Sequence, residues 1–298
     1  MKVGIPRALL YYRYGEFWKS FFKCLNVDFI ISPPTNKKIL DQGVKYVSSE
    51  VCLPVKIICG HLDWLKNKAT HLFLPRFVEL NNGLYTCPKM IGIVDIARFH
   101  FQNYFQIISP KIKNNFYWTH FKLGLKLTKN PLKVKNAIDN AQKYLNSYPK
   151  LKANGAPKIL LLSHFYNIYD YYISQPIIET FKNQGFTIIT KEHLDNKRLN
   201  STKGFAKNIR WVYERELYNA FYYFLPQVQG VCNIISFGCG PDSLISEVML
   251  NEAHIQNKPF LQLIIDEHTS ATGLITRIEA FCEIIKKRLD NNVSSIIL

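Results

Sequence analysis

The chain has 298 residues, 47% of them hydrophobic, and carries 38 Lys and Arg against 22 Asp and Glu, for a net charge of +16. That length admits two α/β domains of about 100–150 residues or one large one, and the apolar content excludes a disordered chain. No run approaches the roughly 20 apolar residues of a membrane helix, and the N-terminus lacks a signal-peptide core, so a cytoplasmic protein is expected.

Taken in chain order, strand-like and helix-like stretches alternate. Lys2–Ile5 reads as a strand, 8–25 as a helix, 27–31 as a strand halted by Ser32-Pro33-Pro34, and 37–42 as a short helix. A strand at 44–47, a helix at 54–66, a strand at 71–75, a helix at 90–102 and a strand at 105–109 follow. Lysine-rich helices over about 113–150 lead to the linker-like Ala153-Asn154-Gly155-Ala156-Pro157. A second run has strands at 158–163, 186–190, 231–237 and 260–266, with helices at 173–184, 206–223, 242–253 and 273–289. Such alternation implies an α/β fold: two Rossmann-like lobes with mostly parallel sheets, joined by a lysine-rich helical segment. The expected divisions are 1–112, 113–155 and 156–298.

Between Lys111 and Lys158 eleven lysines face one acid, Asp139. A solvated basic face accounts for this most simply. Docking to an acidic partner or to nucleotide phosphates comes next, and nucleic acid is the least favoured reading.

Seven cysteines in a chain without a secretion signal argue against a disulfide scaffold. Three of them share a local pattern: Cys52-Leu53-Pro54, Cys87-Pro88 and Cys239-Gly240-Pro241. Each proline precedes a helix-like stretch, and proline is favoured in the first turn, where its missing N–H is not needed. The three thiols are therefore expected at helix N-termini, where free N–H groups and the helix dipole stabilise a thiolate. Three buried thiols, a zinc site or an iron–sulfur cluster all remain open at this stage. A cubane with one open iron suits three thiolates best. Cys24 and Cys282 read as core thiols, Cys232 as too far along its strand to join Cys239, and Cys59 as an outside candidate for a fourth ligand.

Several segments together carry a resemblance. They are Gly4-Ile5-Pro6-Arg7-Ala8-Leu9, Cys52-Leu53-Pro54-Val55-Lys56, Leu74-Pro75-Arg76, Cys87-Pro88-Lys89, Ser163-His164-Phe165-Tyr166-Asn167, Phe237-Gly238-Cys239-Gly240-Pro241-Asp242-Ser243, Ile265-Asp266-Glu267-His268-Thr269 and Thr276-Arg277-Ile278-Glu279-Ala280-Phe281. The chain resembles the acyl-CoA dehydratase activase-related proteins, themselves similar to the 2-hydroxyacyl-CoA dehydratase and double-cubane cluster proteins. The resemblance implies a [4Fe–4S] cluster between two lobes, single or part of a double-cubane cluster, held by Cys52, Cys87 and Cys239. It also implies low-potential one-electron chemistry in an anaerobic setting. An ATP-dependent activase or another low-potential electron donor, acyl-CoA, and a homo- or heterodimeric partner are the implied associates. The chain has no recognisable phosphate-binding ATPase domain of its own. A cluster or electron carrier and a cluster-free two-lobed binding module are the alternatives.

Other residues sit where α/β sites gather. Arg7 and Arg76 follow prolines at strand ends and could bind an anion or cluster sulfurs, or pair with nearby carboxylates. Lys56 and Lys89, in first helical turns, could balance an anionic cluster or face solvent. His164 closes a strand as a candidate proton donor, with a structural hydrogen-bonded histidine as the alternative. Glu267 and His268 offer acid–base groups at another strand end.

Overall fold

The computed structural model describes residues 1–81, 83–145 and 155–294. The expected linker at 153–157 lies partly outside them. Two compact units emerge: Met1–Ser147 with Tyr169–Tyr172 and Arg210–Val212, and Tyr148–Ile168 with Ile173–Ile209 and Tyr213–Leu298.

The first unit is Rossmann-like. Its elements run β1 (Lys2–Ile5), α1 (Tyr11–Cys24), β2 (Asp28–Ile31), α2 (Lys37–Gly43), α3 (Leu53–Leu65), β3 (His71–Phe73), β4 (Arg76–Asn81), β5 (Leu84–Tyr85), α4 (Pro88–Phe101), β6 (Gln106–Ile108), β7 (Lys111–Lys113), α5 (Phe116–Thr128) and α6 (Pro131–Gln142). The main sheet has the order β2-β1-β3-β6, all parallel. The helices form for a readable reason: α1 turns Phe17, Trp18, Phe21 and Phe22 to one side at helical spacing, and all four are buried. Trp18 and Phe22 meet Phe73 of β3 edge-on at 5.2 and 5.0 Å. The lysine-rich α5 and α6 belong to this unit, with α6 packed on α1 and α5 on α6. His120 of α5 is buried there: Nε2 accepts from the Trp18 indole N–H at 3.2 Å, so Nδ1 carries the proton toward the Phe116 carbonyl at 2.8 Å. Burial lowers its pKa to about 4, which keeps it neutral.

Two expectations need correction here. The stretch 44–47 is not a strand; it is a turn, held where the Tyr46 hydroxyl bonds Asp63 and receives Lys66 Nζ at 2.6 Å. Valine and tyrosine propensity for strands yields to that tertiary anchor. A second sheet, β5-β4-β7, is not anticipated by the reading of 71–109. Its β4 begins one residue after Pro75, and Arg76 N–H bonds the Pro110 carbonyl at 3.0 Å.

The second unit is also Rossmann-like: β8 (Lys158–Leu162), α7 (Phe165–Ile168), α8 (Tyr171–Asn183), β9 (Thr187–Ile189), α9 (Asn196–Leu199), α10 (Val212–Phe224), β10 (Gly230–Ser236), α11 (Gly240–Ile255), β11 (Phe260–Ile265) and α12 (Ala271–Ser294). The sheet order is β11-β10-β8-β9, all parallel. β8 and β10 read as unbroken apolar runs because both faces are covered; every residue of β10 is buried. Leu160, Leu162, Leu217, Phe221, Val231 and Met249 form the core between sheet and helices.

Candidate functional site

In an open parallel sheet, ligands gather beyond the carboxyl ends of strands where the winding reverses. In the second unit that point lies between β8 and β10, its neighbouring central strands. Ser163 and His164 leave β8 there, and Phe237-Gly238-Cys239 leave β10. Gly238 has φ +75°, a left-handed turn that suits glycine and swings the chain into α11. Cys239 is the N-cap of α11, with Pro241 in the first turn and its carbonyl accepting from Ser243 N–H at 3.1 Å.

The residues that meet at this point are a histidine, a cysteine and a carboxylate. One ligand atom each from His164, Cys239 and Asp242 lie within 4.8 Å of one another. His164 Nε2 is 2.7 Å from Asp242 Oδ1 and 3.7 Å from Glu214 Oε1, and all three side chains are buried. Burial disfavours the imidazolium, yet the two facing carboxylates outweigh it and hold the His164 pKa above its usual value. Burial raises the Glu214 carboxyl well above the ordinary glutamate range. The ring lies against Tyr166, centroids 4.9 Å apart. His164 Nδ1 is buried with no hydrogen-bond partner. Beneath, Asn167 Nδ2 bonds Ser163 Oγ at 3.0 Å and Ser236 Oγ at 3.3 Å, tying the two strand ends together. Farther along, buried Lys191 pairs with Glu216 Oε2 at 2.5 Å.

The first unit holds a second polar cluster. Thr35 Oγ1 donates to Asp170 Oδ2 at 2.5 Å, so it accepts from His61 Nε2 at 3.1 Å. Tyr12 bonds Asp170 as well. Burial, then the nearby Arg7 charge, lowers His61 to about 3, and burial raises Asp170 to about 6. Arg7 N–H donates to Ser32 Oγ at 2.8 Å, while its Nε is buried without a partner.

Each residue expected from sequence now has a place. Cys52, Cys87 and Cys239 are N-caps of α3, α4 and α11, each with proline in the first turn. Cys87 Sγ accepts the Met90 N–H at 3.4 Å. Cys52 does not follow a strand, since 44–47 forms none. Among the other thiols, burial pushes Cys59 to about 12 and Cys282 to about 11, and raises Cys232 further. Lys56 is buried and donates to the Ser49 carbonyl at 2.7 Å, one turn beyond Cys52. Lys89 sits half-buried in the first turn of α4. Arg76 forms a bidentate pair with Asp95 at 2.5 and 2.8 Å. His268 is 85% exposed, 3.9 Å from Glu267, on a turn capped by Asp266. Neither Glu267 nor His268 joins the cluster around His164 among the described residues.

Residues 2–194 match the family described as CoA enzyme activase uncharacterised domain (DUF2229). The chain belongs to that family. The match spans Arg7, Cys52, Arg76, Cys87 and His164 and ends before Glu214, Cys239 and Asp242. A comparison with curated proteins gives no match. Among the described residues no helix of this activase-domain protein is long and apolar enough to cross a membrane.

The sequence reading missed Asp242, Glu214, Tyr12, Thr35, His61 and Asp170 as site residues. For Asp242 a signal existed: an acid in the first turn of the helix that Cys239 caps. His61 and Asp170 carry no comparable local mark.

Proposed function

We propose that this activase-domain protein is an iron–sulfur protein related to the 2-hydroxyacyl-CoA dehydratase components, with Cys52, Cys87 and Cys239 as the cluster's protein ligands. One observation carries the reading: three cysteines, and those three, cap helices that open with proline. Thiolates are the ligands iron–sulfur clusters use, and a helix N-terminus favours the thiolate form. The donor set therefore fits the group. Bound there, a [4Fe–4S] cluster supplies one-electron transfer, and an iron without a protein ligand can act as a Lewis acid. The chain's own contribution is electrostatic. Each cysteine stands at the positive end of a helix dipole, Cys87 Sγ accepts the Met90 N–H, and Lys56 lies buried one turn beyond Cys52. An ATP-dependent activase or other low-potential donor as partner, acyl-CoA as substrate, and a cytoplasmic, anaerobic setting follow from the same reading.

A second reading rests on the cluster of His164, Cys239 and Asp242. One imidazole, one thiolate and one carboxylate are a ligand set for a single divalent transition metal, with Glu214 nearby as a further oxygen. One experiment separates the two. Iron, acid-labile sulfide and zinc are measured per chain after purification without oxygen and anaerobic reconstitution. Iron with matching sulfide, lost in Cys52→Ala and Cys87→Ala, supports the cluster. Metal without sulfide, retained in those variants and lost in His164→Ala, supports the mononuclear site and overturns the cluster.

A further inference from the structure

A groove of about 930 Å³ opens in the second unit where α9, the turn Gly204–Asn208, α10 and α11 meet. Glu252, which lines it, stands thirteen residues beyond Cys239, or about 20 Å along α11. The groove is thus separate from the candidate metal site. Its volume lies in the range of small-molecule sites.

The groove has three chemical parts. The first is an aromatic row: Phe205 lies 5.3 Å from Tyr218, and Tyr218 runs nearly parallel to Tyr222 at 6.5 Å. Tyr222 ends the row with 65% of its surface exposed, an aromatic face left to water. The second is a cationic rim. Arg198 is already engaged, paired with Asp195 at 2.6 Å and lying 5.0 Å over the Tyr223 ring. Lys197 and Lys203 make no ion pair among the described residues. The third is an acceptor: Glu252 Oε1 receives the Tyr218 hydroxyl at 2.8 Å, whereas Oε2 is buried with no hydrogen-bond partner. A buried carboxylate oxygen without a donor is costly, and an occupant with an N–H or O–H would relieve it.

An occupant that answers all three parts has a planar ring, a hydrogen-bond donor and an anionic group. Inorganic phosphate answers only the lysines, and an acyl chain answers only the aromatic row. We infer that the groove binds a nucleoside phosphate, its base stacked on Tyr222, an amino or hydroxyl group donating to Glu252, and its phosphate held by Lys197 and Lys203.

The test is isothermal titration calorimetry of the full chain with ADP, adenosine and inorganic phosphate as separate titrants. ADP is expected to bind at one saturable site, about tenfold or more tighter than either fragment. Tyr222→Ala and Lys203→Ala, both at exposed positions, should each weaken ADP about tenfold while far-UV circular dichroism stays unchanged. Cys239→Ser should leave ADP binding intact, which separates this site from the metal readings. The inference is overturned by the absence of saturable ADP binding, by inorganic phosphate binding as tightly as ADP, or by ADP binding that survives both substitutions.

Discussion

Asp170 offers a quantitative check on the electrostatics of the first unit. Its carboxylate accepts from Thr35 Oγ1 and from the Tyr172 N–H at 3.1 Å, and Tyr12 bonds it too. Burial nevertheless dominates and lifts its pKa from 3.8 to about 6. The folded chain therefore holds a proton between those values that the unfolded chain releases. Stability falls as pH rises through that window, by about 2–3 kcal/mol from pH 4 to 7. His61, on the facing helix α3, works the other way: depressed to about 3 by burial and the Arg7 charge, it adds stability as pH climbs toward 6.5. The two slopes oppose each other in the native protein, and burial keeps Tyr12 neutral throughout. Asp170→Asn removes one of them. Urea unfolding followed by tryptophan fluorescence should show the variant gaining about 2–3 kcal/mol on the native chain between pH 4 and 7. Lost acceptors add an offset of about 1–3 kcal/mol that does not change with pH. A variant-minus-native difference that stays flat across that range would refute the burial argument.

Thiol labelling at pH 7 should leave Cys59 and Cys232 unmodified in the folded chain and reach them only in denaturant, since burial raises both thiols. Asp242→Ala leaves His164 facing a single, more distant carboxylate and should cost about 3–5 kcal/mol, read by urea unfolding; a cost under about 1 kcal/mol would mean the pair is not formed. Gly60→Ala places a Cβ 1.9 Å from the Ile39 carbonyl oxygen, so α2 and α3 must move apart; a loss of about 1–3 kcal/mol or more is expected, seen as a lower melting temperature. Arg76→Ala breaks a pair whose carboxylate is 56% exposed and should cost no more than about 1 kcal/mol by the same measurement.

Much of the architecture was legible because it rests on short-range signals. The aromatic spacing of α1, the apolar runs of β8 and β10 and the proline after each capping cysteine act within about four residues of chain. Helix periodicity and capping chemistry need no knowledge of the rest of the fold. The same locality explains the failures. Val44–Val47 has strand-forming residues, but contacts from Asp63 and Lys66 hold it as a turn. Arg76 looks like an anion binder until Asp95, nineteen residues away, occupies both of its donor arms.

By itself, then, the sequence determined the alternation of elements, the covered strands and the placement of Cys52, Cys87 and Cys239 at helix starts. Only the tertiary structure decided which polar groups meet. His164 and Asp242 are 78 residues apart, and Thr35 and Asp170 are 135 apart. Strand order β11-β10-β8-β9 brings the first pair to one crevice, and the return of Tyr169–Tyr172 to the first unit brings the second into contact. The physical reason is that caps and periodicity are set by neighbouring backbone groups, whereas pairs so far apart in sequence form only once buried side chains have been packed and their charges left with no water to turn to.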